Sequence, residues 1–77
     1  MKNETKVLLA DASEEMRLLL KQSIENTGEF AVVGSVGDGR EAALLIEKTQ
    51  PDLLVMDIML PGLDGFGLLR QMQNRNV

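Results

Sequence analysis

The segment 53–65 reads LLVMDIMLPGLDG, and it joins a short apolar run to a loop containing proline and glycine. A continuous apolar run of this length is typical of a β-strand that is buried on both faces of a parallel sheet. The run ends in a carboxylate, Asp57, where an apolar residue or a simple turn would suit the fold as well. Because open α/β sheets place their chemistry at the carboxyl ends of their strands, we expect the function to lie around Asp57.

Two further apolar runs precede this strand, and segments with helical periodicity separate the three. The first run covers 7–10 and ends at Asp11, the second covers 30–36, and the third strand is placed at about 52–57. This alternation predicts βαβ units with right-handed crossovers and a parallel sheet. Since three strands make a small sheet with an apolar third edge, we expect 1–77 to be the N-terminal part of a larger domain, with association through that edge.

Capping residues and periodicity predict the helices. The predicted N-caps are Ser13, Asp38 and Asp64. Gly28 is expected to stop the first helix, and Pro51 to end the second and push the preceding residue towards extended geometry. The predicted inward residues are Met16, Leu19, Leu20 and Ile24 in the first helix, Ala42, Leu45, Ile46 and Thr49 in the second, and Phe66, Leu69 and Met72 in the third.

Composition excludes several classes of function. The 77 residues include neither cysteine nor histidine, which excludes disulfides, thiolate zinc sites and histidine chemistry. The net charge is −4 and the sequence pI is about 4.6, so we expect no nucleic-acid binding by this segment. No apolar stretch reaches the roughly 18 residues of a membrane span, and no signal-peptide pattern is present. The expected location is the cytoplasm.

Asp11 and Asp57 each follow a predicted strand, so they converge if those strands are neighbours. Two close carboxylates repel each other, and without histidine their natural partner is a hard divalent cation such as Mg²⁺. A carboxylate beside Mg²⁺ can attack phosphorus to form an aspartyl phosphate. The structural alternative is that each aspartate merely caps the turn that follows it.

The same residues resemble a known family, the receiver domains of response regulators. The segment 55–65 (VMDIMLPGLDG) looks like their phosphoacceptor segment, 8–11 (LLAD) like their first strand and acidic cluster, and 38–44 (DGREAAL) like their second strand-to-helix turn. The resemblance implies a flavodoxin-like α/β receiver fold with strand order 2-1-3, truncated after the third βα unit. It also implies that Asp57 is phosphorylated, that Asp11, Asp57 and the backbone carbonyl of Met59 bind Mg²⁺, and that Pro61 and Gly65 shape the loop.

The sequence departs from the family at two places. The second acid of the acidic cluster, usually the direct metal ligand, is replaced by Ala12, which should lower Mg²⁺ affinity unless Ser13 or Glu14 compensates. The family's later hydroxyl and lysine residues have no counterpart. Lys6 cannot replace that lysine, because it begins the first strand and so lies at the opposite edge of the sheet.

Two alternative interpretations remain open at the level of sequence. The segment 37–42 (GDGREA) fits a G-x-G-x-x-A dinucleotide fingerprint, with Asp57 20 residues beyond Gly37 as the ribose-binding acid. Ala12 instead favours a degenerate receiver that acts by dimerisation or partner binding without phosphorylation. A phosphatase of the Asp-x-Asp type is excluded because position 59 is methionine.

Taken with the resemblance, these residues predict a non-enzymatic, Mg²⁺-dependent receiver. Asp57 would accept a phosphoryl group from a sensor histidine kinase or a phosphotransfer protein. The phosphorylated domain would then control a covalently linked output domain, expected to bind DNA. No contact with membranes is expected, and a homo-oligomer could form through the exposed third strand.

Overall fold

The computed structural model describes residues 4–57, 60–62 and 65–74. Three strands and three helices alternate along the chain. They are β1 (Thr5–Ala10), α1 (Glu14–Glu25), β2 (Phe30–Val36), α2 (Gly39–Thr49), β3 (Leu53–Met56) and α3 (Gly65–Asn74). The strands form one parallel sheet in the order β2-β1-β3, which confirms the predicted α/β fold and strand order.

The reversal of strand order distributes the helices. The chain steps from β1 to β2 in one direction and then crosses back over β1 to reach β3. With right-handed crossovers, this reversal places α1 on one face of the sheet and α2 on the other. Helix α3 packs against α2. The carboxyl ends of β1 and β3 therefore meet at the point where strand order reverses, which is where open α/β sheets bind ligands.

The core lies mainly between the sheet and α2. All four residues of the 7–10 run are fully buried, as expected for a central strand. The cluster of buried apolar side chains comprises Leu8, Ala10, Val36, Ala42, Ile46, Leu60 and Met72. Leu60 follows β3 and Met72 belongs to α3, so the segment after Asp57 and helix α3 both contribute to this core.

The predicted caps of the first two helices are confirmed. The Ser13 hydroxyl accepts a hydrogen bond from the Met16 N–H at 3.2 Å, and the Asp38 carboxylate accepts one from the Glu41 N–H at 2.8 Å. Gly28, in the turn after α1, has a φ of +77°, which suits a helix stop. The predicted cap Asp64 lies outside the described residues, as do the side chains of Phe66 and Leu69.

Two sequence-based expectations are wrong. Met16 and Leu19 do not face the sheet, because they are 46% and 60% exposed. The half-buried residues of α1 are Arg17, Leu20 and Ile24. Gln50 is not extended but left-handed, with φ 48° and ψ 64°.

Physical reasons are evident for both differences. The inward stripe of α1 includes an arginine, so apolar periodicity alone selects the wrong face of the helix. Proline disfavours the right-handed helical region for the residue before it, but it leaves the choice between extended and left-handed backbone open. In the left-handed conformation Gln50 donates its N–H to the Ile46 carbonyl at 3.0 Å, which closes the last turn of α2.

Strand β3 lies at an edge of the sheet, with Leu53 44% exposed. Association through this edge stays a prediction. Within the described ranges, no helix has both the length and the apolar character needed to cross a bilayer.

Candidate functional site

Asp11 and Asp57 lie side by side at one edge of the sheet. Their predecessors, Ala10 and Met56, are paired in the parallel ladder between β1 and β3. The Asp57 N–H donates to the Ala10 carbonyl at 2.9 Å, and the Asp11 N–H donates to the Val36 carbonyl at 3.1 Å. Both aspartates thus continue the ladder, on strands about 4.8 Å apart. The structure therefore brings together the two acids that the sequence singled out.

Asp11 is held at several atoms. Its carboxylate oxygen Oδ1 accepts a hydrogen bond from the Ser13 N–H at 2.8 Å, and its backbone carbonyl accepts one from Arg17 Nη1 at 2.5 Å. The first contact is the turn cap that the structural alternative predicts. A carboxylate has about four lone-pair sites, so a single hydrogen bond leaves it able to bind a cation as well.

The loop after Asp57 is fastened to α2. The Asp57 carbonyl accepts a hydrogen bond from the Leu60 N–H at 3.2 Å, which turns the chain at once. The Pro61 carbonyl then accepts one from the Gly39 N–H at 2.6 Å. Gly62 has a φ of +96°, and a Cβ there would lie 3.2 Å from the Gly39 nitrogen. The contacts of Pro61 and Gly62 therefore fix the described part of this loop, 60–62, whereas Met59, the expected carbonyl ligand, lies outside the described residues.

The dinucleotide interpretation is wrong for a structural reason. A pyrophosphate at a G-x-G-x-x-A fingerprint binds the free N–H groups at the helix N-terminus. Here the Gly39 N–H is bonded to the Pro61 carbonyl and the Glu41 N–H to the Asp38 carboxylate. The chain itself thus occupies two of the N–H donors that the cofactor would need. The Asp38 carboxylate also places a negative charge beside them.

The site has few acidic ligands. Ala12 is exposed and contributes no ligand atom from its side chain, and the Ser13 hydroxyl already caps α1. Glu14 lines a groove beside β2 together with Arg17, Leu18, Lys21 and Ser35. Among the described residues no group of three or more acids could hold a metal ion.

Two carboxylates nevertheless fit Mg²⁺. This ion typically takes one or two carboxylates, keeps several waters and adds a substrate phosphate. The pair Asp11 and Asp57 supplies hard oxygen ligands of that number at one edge of the sheet. A magnesium ion held by two carboxylates would keep coordination positions for water and a phosphate.

Lys6 lies where the sequence placed it, at the other end of β1. Its Nζ donates to the Thr49 carbonyl at 2.9 Å, where it offsets the negative end of the α2 dipole. Its N–H donates to the Asp52 carboxylate at 2.9 Å. Lys6 thus has a structural role far from the acidic pair.

Arg17 is the residue that sequence reasoning missed. Besides its bond to the Asp11 carbonyl, its Nε donates to the Ser35 hydroxyl at 3.1 Å. A signal was present, because Arg17, Leu20 and Ile24 share the spacing of one helix face. An arginine on an otherwise apolar inward stripe indicates a specific polar partner beneath it.

Residues 7–77 match the family model of the response regulator receiver domain. A protein-glutamate methylesterase/protein-glutamine glutaminase from Methanospirillum hungatei is 37% identical over 70 residues, covering 91% of this chain and 20% of that protein. The chain thus spans about a fifth of this relative's length, so the relative's enzymatic name refers to a much longer protein.

Two solved structures share the fold at appreciable identity. The response regulator domain of Thermotoga maritima CheB is 35% identical with a TM-score of 0.85, over 94% of this chain and 54% of that one. A two-component response regulator of the LuxR family from Aurantimonas sp. SI85-9A1 is 31% identical with a TM-score of 0.83, over 96% and 53%.

A narrower identity for this sequence, the receiver of the master sporulation regulator of endospore-forming bacteria, is not supported by these proteins. What they share is the receiver domain itself, over nearly all of this chain. The chain therefore belongs to the response regulator receiver domains of two-component signalling.

Proposed function

We propose that this domain accepts a phosphoryl group on Asp57 in a Mg²⁺-dependent reaction. The observation that carries the proposal is the in-register pairing of β1 and β3, which sets Asp11 beside Asp57 at the edge of the sheet. Membership of the receiver family supports the same role. The donor would be a phosphohistidine on a sensor kinase or a phosphotransfer protein.

The proposed chemistry is phosphoryl transfer between two side chains. A carboxylate oxygen of Asp57 attacks the phosphorus, the new O–P bond forms as the P–N bond to the donor imidazole breaks, and the imidazole nitrogen keeps the electron pair. Asp11 and Asp57 would hold Mg²⁺, with the Met59 carbonyl as a further ligand. The bound ion would screen the charge between the carboxylate and the incoming phosphoryl group.

The contacts around Asp57 also indicate how the loop would contribute. The loop after Asp57 is tied to α2 through Pro61 and to the core through Leu60. A phosphoryl group at Asp57 would meet a preformed surface, so little ordering entropy would be lost on transfer. Phosphorylation would then shift a conformational equilibrium that a linked output domain reads. The relatives include an enzyme and a response regulator of the LuxR family. A DNA-binding output domain is therefore one proposal, and an enzymatic output domain is another.

Mg²⁺-dependent labelling by acetyl phosphate tests the proposal. We expect a gain of one phosphoryl group by mass spectrometry, its loss with a chelator, and its absence in Asp57→Asn. Asp52→Asn is the matched control, because Asp52 lies at the other end of the same strand and accepts a hydrogen bond that asparagine can also accept. This variant should label as the unmodified chain does.

The second candidate is the degenerate receiver, which the replacement at Ala12 favours. It predicts no label that depends on Asp57, and an intact fold in the same sample by circular dichroism. That result would overturn the phosphoacceptor proposal and leave dimerisation or partner binding as the function.

A further inference from the structure

Arg17 joins the ends of two strands next to the acidic pair. From the second turn of α1 its guanidinium reaches the Asp11 carbonyl at the end of β1 and the Ser35 hydroxyl near the end of β2. The fit is close, since a Cβ at Gly37 would lie 3.0 Å from Nη1. Arginine suits this position because its rigid fork of donors can bind two acceptors in one plane.

These contacts fix the direction of the Asp11 side chain. The Asp11 N–H is bonded to the Val36 carbonyl, its own carbonyl to Arg17, and its Oδ1 to the Ser13 N–H. Backbone donor, backbone acceptor and side chain are therefore all restrained. Arg17 restrains the Asp11 carbonyl, because within the described residues the strand pairing of β1 ends at Ala10 and no neighbouring strand binds this carbonyl.

We infer that Arg17 is a positioning residue that sets Asp11 for cation binding, an inference that rests on the proposed function. Mg²⁺ demands near-ideal octahedral geometry. With Ala12 in place of a second acid, the site depends on two carboxylates, so an error in the direction of either weakens it. Groups that orient metal ligands without touching the metal typically change affinity about 10–100-fold when removed.

Charge and geometry at Arg17 have opposite effects on the cation. A guanidinium this close to the site repels Mg²⁺, so removing its charge alone should tighten binding. Losing the fork releases the Asp11 backbone, which should weaken binding. Lysine retains the charge and loses the fork, whereas glutamine loses both. A positioning role therefore predicts weaker binding in both variants.

Mn²⁺ titration followed by electron paramagnetic resonance provides the test, since Mn²⁺ is a spectroscopic probe with similar oxygen ligands. We expect Arg17→Lys and Arg17→Gln to weaken Mn²⁺ binding about 10-fold or more. Ser35→Ala, which removes the second acceptor of the fork, should weaken it less. Lys21→Gln removes one positive charge from the same helix without any contact to Asp11, and it should bind Mn²⁺ at least as tightly as the unmodified chain.

Each outcome has a distinct meaning. Tighter binding in Arg17→Gln with unchanged binding in Arg17→Lys would show a purely electrostatic effect and overturn the inference. Equal Mn²⁺ affinity in all variants, in a chain that still labels on Asp57, would overturn the inference and leave the proposed function standing. An unmodified chain that neither binds Mn²⁺ nor labels would overturn both. If the Arg17 variants unfold, Ser35→Ala provides the test. Weaker Mn²⁺ binding in this variant supports the inference, and unchanged binding overturns it.

Discussion

The two faces of the sheet are packed in different ways. On one face α2 buries Ala42 and Ile46 completely against Leu8 and Ala10. On the other face α1 has no fully buried residue, and Met16, Leu18 and Leu19 are 46%, 56% and 60% exposed. Yet both faces of β1 are equally apolar, and Val7 and Leu9 are as fully buried as their neighbours.

The difference separates stability from site geometry. Helix α2 contributes two buried apolar side chains, Ala42 and Ile46, whereas α1 contributes none, and the N-terminus of α2 also fastens the loop after Asp57. Helix α1 contributes little fully buried surface, but Ser13 at its N-cap and Arg17 in its second turn hold Asp11. Each acid of the pair is thus positioned by a different helix. Mutations in α1 should mainly affect Asp11, whereas mutations in α2 should affect the whole fold.

The largest expected contrast is between Ile46→Ala and Leu19→Ala. Ile46 is fully buried, so its truncation leaves a cavity and should lower the free energy of unfolding by about 2–5 kcal/mol. Leu19 is 60% exposed, so its truncation should change stability by less than about 0.5 kcal/mol. Urea unfolding at several protein concentrations measures both values.

A large cost for Leu19→Ala would break the comparison between the two faces. If that cost grew with protein concentration, the α1 face would be buried against a second copy of the chain. If it did not, the packing of α1 on the sheet would be tighter than the structure shows.

Much of the fold could be predicted because its signals are local. The apolar run at 7–10 predicts a central strand, and the caps Ser13 and Asp38 begin their helices as capping chemistry requires. The position of Asp11 beside Asp57 follows once β1 and β3 are neighbours. That adjacency came from family resemblance, because periodicity alone does not order the strands of a sheet.

What the sequence missed depends on tertiary context. Helix α1 carries apolar residues around much of its circumference, so docking on the sheet decides that Leu20 faces inward and Leu19 does not. The register of β2 shifts between the pairs of Val7 and Leu8, and no residue pattern signals this irregularity. The role of Arg17 can be recognised only once the ends of β1 and β2 are placed in three dimensions, because its two acceptors lie 6 and 18 residues away along the chain.

A second test compares two glycines, Gly62 in the loop that is fastened to α2 and Gly28 in the turn after α1. Gly62 and Gly28 both have positive φ, at +96° and +77°, so alanine at either should cost about 1–2 kcal/mol of backbone strain. At Gly62 the new Cβ would also lie 3.2 Å from the Gly39 nitrogen, whereas at Gly28 nothing lies within 4 Å. We therefore expect Gly62→Ala to be the more destabilising, by about 2–3 kcal/mol in total.

The same pair of variants tests how the loop is held. Displacing Gly62 should strain the bond between Pro61 and Gly39, so Gly62→Ala should also slow labelling of Asp57 by acetyl phosphate. Gly28→Ala should label normally. Equal stability and equal labelling of the two variants would mean that α2 does not hold the loop.

The smallest expected effect has opposite signs at two glutamines, Gln50 at the C-cap of α2 and Gln22 inside α1. Gln50 ends α2 with left-handed backbone, which glycine adopts without penalty, so Gln50→Gly should stabilise the fold by about 0.5 kcal/mol after the entropy of the unfolded chain is counted. Gln22 is exposed inside α1, where glycine should cost about 1 kcal/mol. Thermal unfolding should therefore shift up for the first variant and down for the second. A loss of stability in Gln50→Gly would mean that the Gln50 side chain contributes more than its backbone costs, and that the end of α2 is held by side-chain contacts rather than by the bond from its N–H to the Ile46 carbonyl.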